Sequence, residues 1–388
     1  MADPQRYKII IVGGGPGGLA TALHLLQRDP HLRDDLLILE AAEYPRDKLC
    51  GGGVTFHGEE QLARLGIQLD VPSVTISRLE FRLNSQRFVT PHPAAMRVIQ
   101  RQAFDAALAQ TVTERGIQLR TGERLRDIFS EGEGLRLVTT QGDYQATIVV
   151  AADGANSTVR RKLHIPSEMG VARLLRVLTP IDPATDRLWQ QRTALFDFTC
   201  VARGVQGYTW DFPCVVDGQP YMNRGIFDSR IAPLKRDGQP HGLLKTVFYD
   251  GLRERGAQTA NVQLAGHPVR WFNPQAEFSR PHVLLVGDAA GVDPLFAEGI
   301  SYAMEYGEIA AEMICAALTT GDFGFHGYRA RLLRHPLGKM LQRRASVARN
   351  LYGAHMPVLW QTMWRLAQVA TTPLQHRFAA ALGLLPPV

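Results

Sequence analysis

The start of the chain constrains its fold more than any other segment. Residues 7–12 read YKIIIV, a short unbroken apolar run of the kind that becomes a strand buried on both faces. Gly13-Gly14-Gly15-Pro16-Gly17-Gly18 follows at once, and residues 17–27 then take helical spacing. A second apolar run, LLIL at residues 36–39, ends at Glu40. This is a β-turn-α-β unit. Gly13 permits the tight turn, Gly15 lets a pyrophosphate approach the backbone, and Gly18 lets the helix pack close to the strand. The helix beginning near Gly17 presents free N–H groups and a positive dipole end to phosphate. Glu40 stands at the end of the next strand, where an acid that binds a ribose is expected. The unit predicts a dinucleotide site built on Gly13, Gly15, Gly17, Gly18 and Glu40, and by itself leaves FAD and NAD open.

With 388 residues, 45% of them hydrophobic and 21% charged, the chain is long and apolar enough for a large core, which excludes disordered, collagen-like and disulfide-scaffold readings. Cys50, Cys200, Cys214 and Cys315 form no C-x-x-C pair, which excludes zinc ribbons and thioredoxin-type sites and suggests a reducing compartment. The net charge of +6 is uneven: residues 323–388 hold nine Lys and Arg and no acid, so the first 322 residues carry a net −3. Such a tail is either a solvated helical face or a contact for an anionic membrane or an acidic partner. Residues 9–26 are uncharged, but their glycines and Pro16 mark a strand and turn, and no other run approaches the roughly 20 residues of a spanning helix. The expected location is cytoplasmic, with peripheral attachment to one membrane face as the alternative.

Further along, residues 75–89 look like a hairpin, residues 102–115 a helix, and residues 117–151 three or four short strands. A strand-rich block at residues 174–227 is punctuated as antiparallel strands. Residues 243–255 suggest a helix, 283–286 (VLLV) a buried strand, and 300–318 a long helix. The expected fold class is α/β. Its parallel-sheet nucleotide-binding domain is discontinuous (1–73, 98–166 and 279–322), with an inserted antiparallel sheet (74–97 and 167–278) and a basic helical C-terminal region (323–388).

The strand at 283–286 runs into Gly287-Asp288, and Glu298-Gly299-Ile300 opens the helix beyond it. Asp288 could accept hydrogen bonds from a polyol, and the helix start would favour a ring that becomes anionic on reduction. With Asp153-Gly154 between this segment and the first, the chain resembles the FAD-dependent oxidoreductases with a glutathione-reductase-like FAD fold, in the branch of aromatic hydroxylases, flavin halogenases and geranylgeranyl reductases. The resemblance covers roughly residues 7–320. It implies that Asp288 binds the flavin ribitol, that Asp153 shapes the FAD and reductant region, and that Arg101 and the Leu125 backbone contact FAD. Lys48-Leu49-Cys50-Gly51-Gly52-Gly53 resembles the Lys-x-Cys-Gly-Gly-Gly loop of the geranylgeranyl reductase family. That likeness places Lys48, Cys50, Gly51 and Gly53 beside the isoalloxazine ring and makes Cys50 a candidate to tune the flavin, relay a proton or position an alkene. Gly207-Tyr208-Thr209-Trp210-Asp211-Phe212-Pro213 resembles the aromatic wall of the same reductases and makes Trp210 a candidate at the substrate. Asp293-Pro294-Leu295-Phe296 leans toward halogenases, whereas Glu298-Gly299-Ile300 keeps the reductase pattern; Phe296, Gly299 and Ile300 are therefore also candidates.

No second glycine fingerprint is present, so NAD(P)H or another electron donor, such as a donor protein, would visit only transiently. No P-loop, no H-E-x-x-H helix and no G-x-S-x-G elbow occurs, so no metal site and no nucleotide triphosphatase is expected; nucleic-acid binding is not expected either. The resemblance implies a reductase that delivers hydride from reduced flavin to an alkene of an apolar, prenyl-like substrate. The alternatives are a monooxygenase or halogenase acting through a peroxyflavin, and a flavin- or lipid-binding protein without turnover.

Overall fold

In a computed structural model, which describes residues 4–166, 170–232, 243–257, 263–353 and 357–386, the opening apolar run becomes the strand Gln5–Val12, buried over its last four residues. It pairs in parallel with Leu36–Leu39 on one side and with Asp143–Ala151 on the other. Val283–Leu285 and Gln118–Arg120 extend the parallel sheet outward. Leu125–Glu131 and Gly134–Thr139 form an antiparallel meander joined to Asp143–Ala151. Helices cover this sheet, because strands apolar on both faces need a layer on each side. The first helix, Pro16–Arg28, lies against the long helix Ile300–Thr320. Their backbones nearly touch: a Cβ added to Gly307 would come within 2.7 Å of the Thr21 nitrogen.

The second sheet runs Ala265–Arg270, Val171–Pro180, Gln219–Asp228, Gly207–Val216, Thr193–Asp197, Ser73–Leu83, Gln86–Ile99 and Gly53–Thr55. One pairing departs from the antiparallel expectation: Thr193–Asp197 lies parallel to Ser73–Leu83. Parallel neighbours need a long connection, and here the whole stretch between Leu83 and Thr193 supplies it. The hairpin around residue 84 is also longer than its sequence pattern suggests, reaching Ile99.

The basic C-terminal region forms the helices Tyr328–Arg334, Pro336–Gly353, Pro357–Val369 and Thr372–Ala381. It is not simply a solvated face. Ala345, Ala348, Tyr352, Trp364 and Leu385 are buried in the same core cluster as the second sheet. Burying a large apolar side chain contributes about 1.5–3 kcal/mol, so these helices are held by packing. Arg344, one of the nine basic residues, is fully buried. Among the described residues, no helix is long and apolar enough to cross a membrane.

Candidate active site

The glycine turn divides its work. Gly13 has φ +111°, and a Cβ there would lie 2.3 Å from the Ala152 carbonyl oxygen. A Cβ on Gly18 would lie 2.0 Å from the Gly13 oxygen. Both positions are demanded by the protein's own backbone, and Gly18 does not reach the cavity. Gly15 differs: a Cβ there would meet nothing nearer than Arg46 Nη2 at 3.9 Å. Its bare backbone faces open space, the cradle a phosphate would need. Glu40 is busy within the turn, since its Oε2 accepts from the Gly14 N–H at 2.9 Å and its Oε1 from the Ala42 N–H at 3.0 Å. Arg46, 3.4 Å from Glu40, donates to the Gly14 carbonyl at 3.1 Å.

The turn opens onto a cavity of about 460 Å³ between the two sheets. Gly13, Gly15, Gly17, Glu40, Lys48, Cys50, Gly51, Gly53, Arg101, Leu125, Asp153, Trp210, Asp288, Phe296, Gly299 and Ile300 all line it. The candidates scattered from residue 13 to residue 300 therefore converge, Gly18 excepted. Asp288 sits beside the start of the long helix, its Oδ1 3.6 Å from where a Gly299 Cβ would be. Burial pushes the Asp288 carboxyl up, against the pull of Lys48, Arg101 and Arg270. Arg101 makes a twin hydrogen bond to Asp105, 2.7 Å in each arm, and Asp105 also pairs with Arg46 at 3.2 Å. Asp153 Oδ2 accepts from the Thr158 and Val159 N–H groups at 2.7 and 3.1 Å, capping the short helix Thr158–Lys162. Its Oδ1 is buried without a hydrogen-bond partner among the described residues. Arg160 donates to Ala289 O at 3.2 Å, which joins the Asp153 and Asp288 segments, and Arg270 donates to Ala155 O at 2.8 Å, which ties the strand Ala265–Arg270 to the Asp153 segment.

A model for an FAD binding domain matches residues 6–194. The menaquinone reductase of Mycolicibacterium smegmatis is 26% identical over 98% of this chain and 90% of its own length. Digeranylgeranylglycerophospholipid reductase 2 of Methanothermobacter thermautotrophicus is 27% identical over 90% of this chain and 89% of its own. A geranylgeranyl bacteriochlorophyll reductase-like structure from Thermoplasma acidophilum superposes with a TM-score of 0.72 at 19% identity, covering 97% of this chain and all of that one. A flavin-dependent brominase and a p-nitrophenol 4-monooxygenase share the fold at 18% identity. The chain thus matches an FAD binding domain over residues 6–194 and is similar to digeranylgeranylglycerophospholipid reductases. The open cradle at Gly15, the carboxylates of Asp288 and Asp153 and the cations Lys48 and Arg101 fit that cofactor.

Several residues that hold the walls of this cavity together left no legible mark in the sequence. Asn223 Nδ2 donates to the Cys50 and Gly51 carbonyls at 3.0 and 3.1 Å, and its Oδ1 accepts from the Trp210 indole N–H at 3.1 Å. One amide thus pins the Cys50 loop to the aromatic wall. Trp210 lies flat over Gly225, where a Cβ would meet its ring at 2.0 Å. The Gly52 N–H donates to Cys50 Sγ at 3.3 Å, which orients the thiol. His267 is a second such residue: its Nε2 lies 2.7 Å from Lys48 Nζ. Burial, then the Lys48 and Arg101 charges, push the imidazole down to about 4, so it is neutral and can accept from the ammonium. Burial also lowers the Lys48 ammonium, against the pull of Asp288.

The third is Arg344. Its Nη1 reaches Asp293 Oδ2 at 2.6 Å and Glu298 Oε2 at 2.8 Å, and its Nε donates to Leu382 O at 2.8 Å. Asp293 also accepts from the Leu295 and Phe296 N–H groups at 2.8 and 3.0 Å. The C-terminal region therefore reaches into the loop that sets Phe296 and Gly299. Tyr208 OH closes the same loop by donating to Phe296 O at 2.5 Å.

Proposed function

We propose that this flavoenzyme is a reductase that saturates a carbon–carbon double bond in an apolar, prenyl-like substrate. The observation that carries the reading is the aromatic wall. Phe196, Tyr208, Trp210, Phe212 and Phe296 line the cavity side by side, and Asn223 locks the Cys50 loop onto them. A wall of this kind holds an apolar chain by burial, at about 25 cal/mol per Å², and excludes water. The flavin, when bound and reduced, supplies two electrons and one hydrogen to the alkene. Gly15 and the start of the first helix would hold the pyrophosphate, Asp288 the ribitol, and Lys48 and Arg101 negative charge. Cys50, held by Asn223 and oriented by Gly52, is the proposed proton donor for the second alkene carbon. NAD(P)H or a donor protein is the proposed transient source of electrons. The names of the menaquinone and digeranylgeranylglycerophospholipid reductases support an isoprenoid chain as the substrate class.

The fold shared with a brominase and a monooxygenase supports a second reading, oxygen-dependent chemistry on an aromatic substrate. The deciding experiment is reduction of the holoenzyme under anaerobic conditions, addition of a short prenyl alkene, and mass analysis. A product heavier by two hydrogens is expected. Turnover that needs oxygen and adds oxygen or halogen would replace the reductase reading. Cys50→Ala should keep its FAD and lose most turnover; full activity would remove Cys50 from the mechanism.

A further inference from the structure

The last two described helices carry an exposed apolar stripe. On Pro357–Val369, Val358, Leu366 and Val369 are 72, 64 and 80% exposed. On Thr372–Ala381, Leu374 and Phe378 are 56 and 46% exposed and stand one turn apart. Arg365 and Arg377 are exposed on the same two helices, within a region that has no acid after Asp322. The buried side of this hairpin packs Trp364 and Ala379 into the core, so the helices are anchored and the apolar stripe faces outward. A narrow chamber lined only by apolar residues lies beneath. Phe378 is in its wall and half-exposed, so the chamber reaches the hairpin. Phe296 and Leu384 line both this chamber and the active-site cavity.

We propose that the Pro357–Ala381 hairpin docks on the surface of an anionic lipid bilayer. Amphipathic helices with outward leucine, valine and phenylalanine bury that face among the acyl chains, while arginines meet anionic headgroups. Basic charge without any acid favours a lipid surface over a second copy of the chain, which would bring the same positive face against itself. The chamber then lies between the bilayer side and the active-site cavity. This last connection rests on the apolar substrate proposed above; the docking itself does not.

The test is flotation of the full-length FAD-loaded protein with vesicles of phosphatidylglycerol and phosphatidylcholine, and with phosphatidylcholine alone. Binding to the anionic vesicles is expected, weakening with salt. Leu366→Glu with Val369→Glu, both at exposed positions, should lower it at least tenfold without changing FAD content. Arg365→Gln and Arg377→Gln should each lower it about fivefold. Protein that stays free of the anionic vesicles overturns the proposal. So does a double variant that binds like wild type, or a dimer that the double change dissolves, since the stripe would then belong to a second copy. Activity on a short, water-soluble prenyl alcohol separates the two ideas. Its absence in the wild type would count against the proposed reaction, while the vesicle result would still decide the docking.

Discussion

Replacing Arg344 by Met would leave Asp293 and Glu298, whose side chains are 0 and 6% exposed, without their shared cation. Breaking a buried ion pair by removing one partner costs about 3–5 kcal/mol. Total stabilities run about 5–15 kcal/mol, so this is a large fraction. A chain of this size has an unfolding entropy of about 0.8 kcal/mol per kelvin, which converts the loss to a fall of about 4–6 °C in Tm. The loss should also depend on pH. Burial already holds the Asp293 carboxyl above its usual range, and Arg344 is the first group opposing it. Without Arg344 the folded carboxyl rises further, so the folded state binds a proton that the unfolded state has lost. Stability then falls as pH rises through that window, and the deficit should be larger at pH 8 than at pH 5. The assay is flavin-fluorescence melting of wild type, Arg344→Met, and Arg344→Met with Asp293→Asn at both pH values. The double variant should regain about half the loss, because one stranded charge is removed. A single variant melting within about 1 °C of wild type at both pH values would refute the reasoning, as would a deficit that grows in acid.

Four further outcomes follow from the site. Gly225→Ala should drive Trp210 off its seat and quench or shift its fluorescence, with a stability loss of about 1–3 kcal/mol from overpacking; an unchanged emission spectrum would show that the sheet gives way instead. Asn223→Ala strands two loop carbonyls and an indole N–H, so turnover should drop more than tenfold while FAD remains bound, and the ratio of flavin absorbance to protein checks the second half. Asp288→Ala should lower FAD retention on gel filtration, and a fully loaded variant would contradict the ribitol assignment. His267 is neutral in the folded state down to about pH 4 and protonates near 6.5 when unfolded. The unfolded state therefore binds more protons between those values, and stability should fall by about 3 kcal/mol as pH drops across that window. His267→Asn should flatten that part of the stability profile.

The early strand, the glycine turn and Glu40 were legible because local geometry dictates them: three glycines are needed where backbone meets backbone or ligand, and an apolar run of that length must be buried on both sides. The Cys50 loop and the Gly207–Pro213 segment were legible only by resemblance to the reductase family, and Tyr208, Trp210 and Phe212 line the same cavity as Cys50. The parallel pairing of Thr193–Asp197 with Ser73–Leu83 was hidden, because a strand's apolar content does not name its neighbour. Asn223 was hidden for a similar reason. It reads as one polar residue in a strand, and only its register opposite Phe212 brings it to the Cys50 loop.

What the sequence by itself determined is the cofactor-binding half of the protein, where each requirement is met within a few consecutive residues. What only the tertiary structure decided is how distant charges are satisfied. Arg344 and Asp293 stand 51 positions apart, and Lys48 and His267 stand 219 apart. In the linear chain Arg344 is one cation in a basic tail, indistinguishable from its exposed neighbours. Folding takes it out of water, and a buried charge must find its counter-ion at hydrogen-bond distance. That necessity binds the C-terminal helices to a loop that lines the cavity.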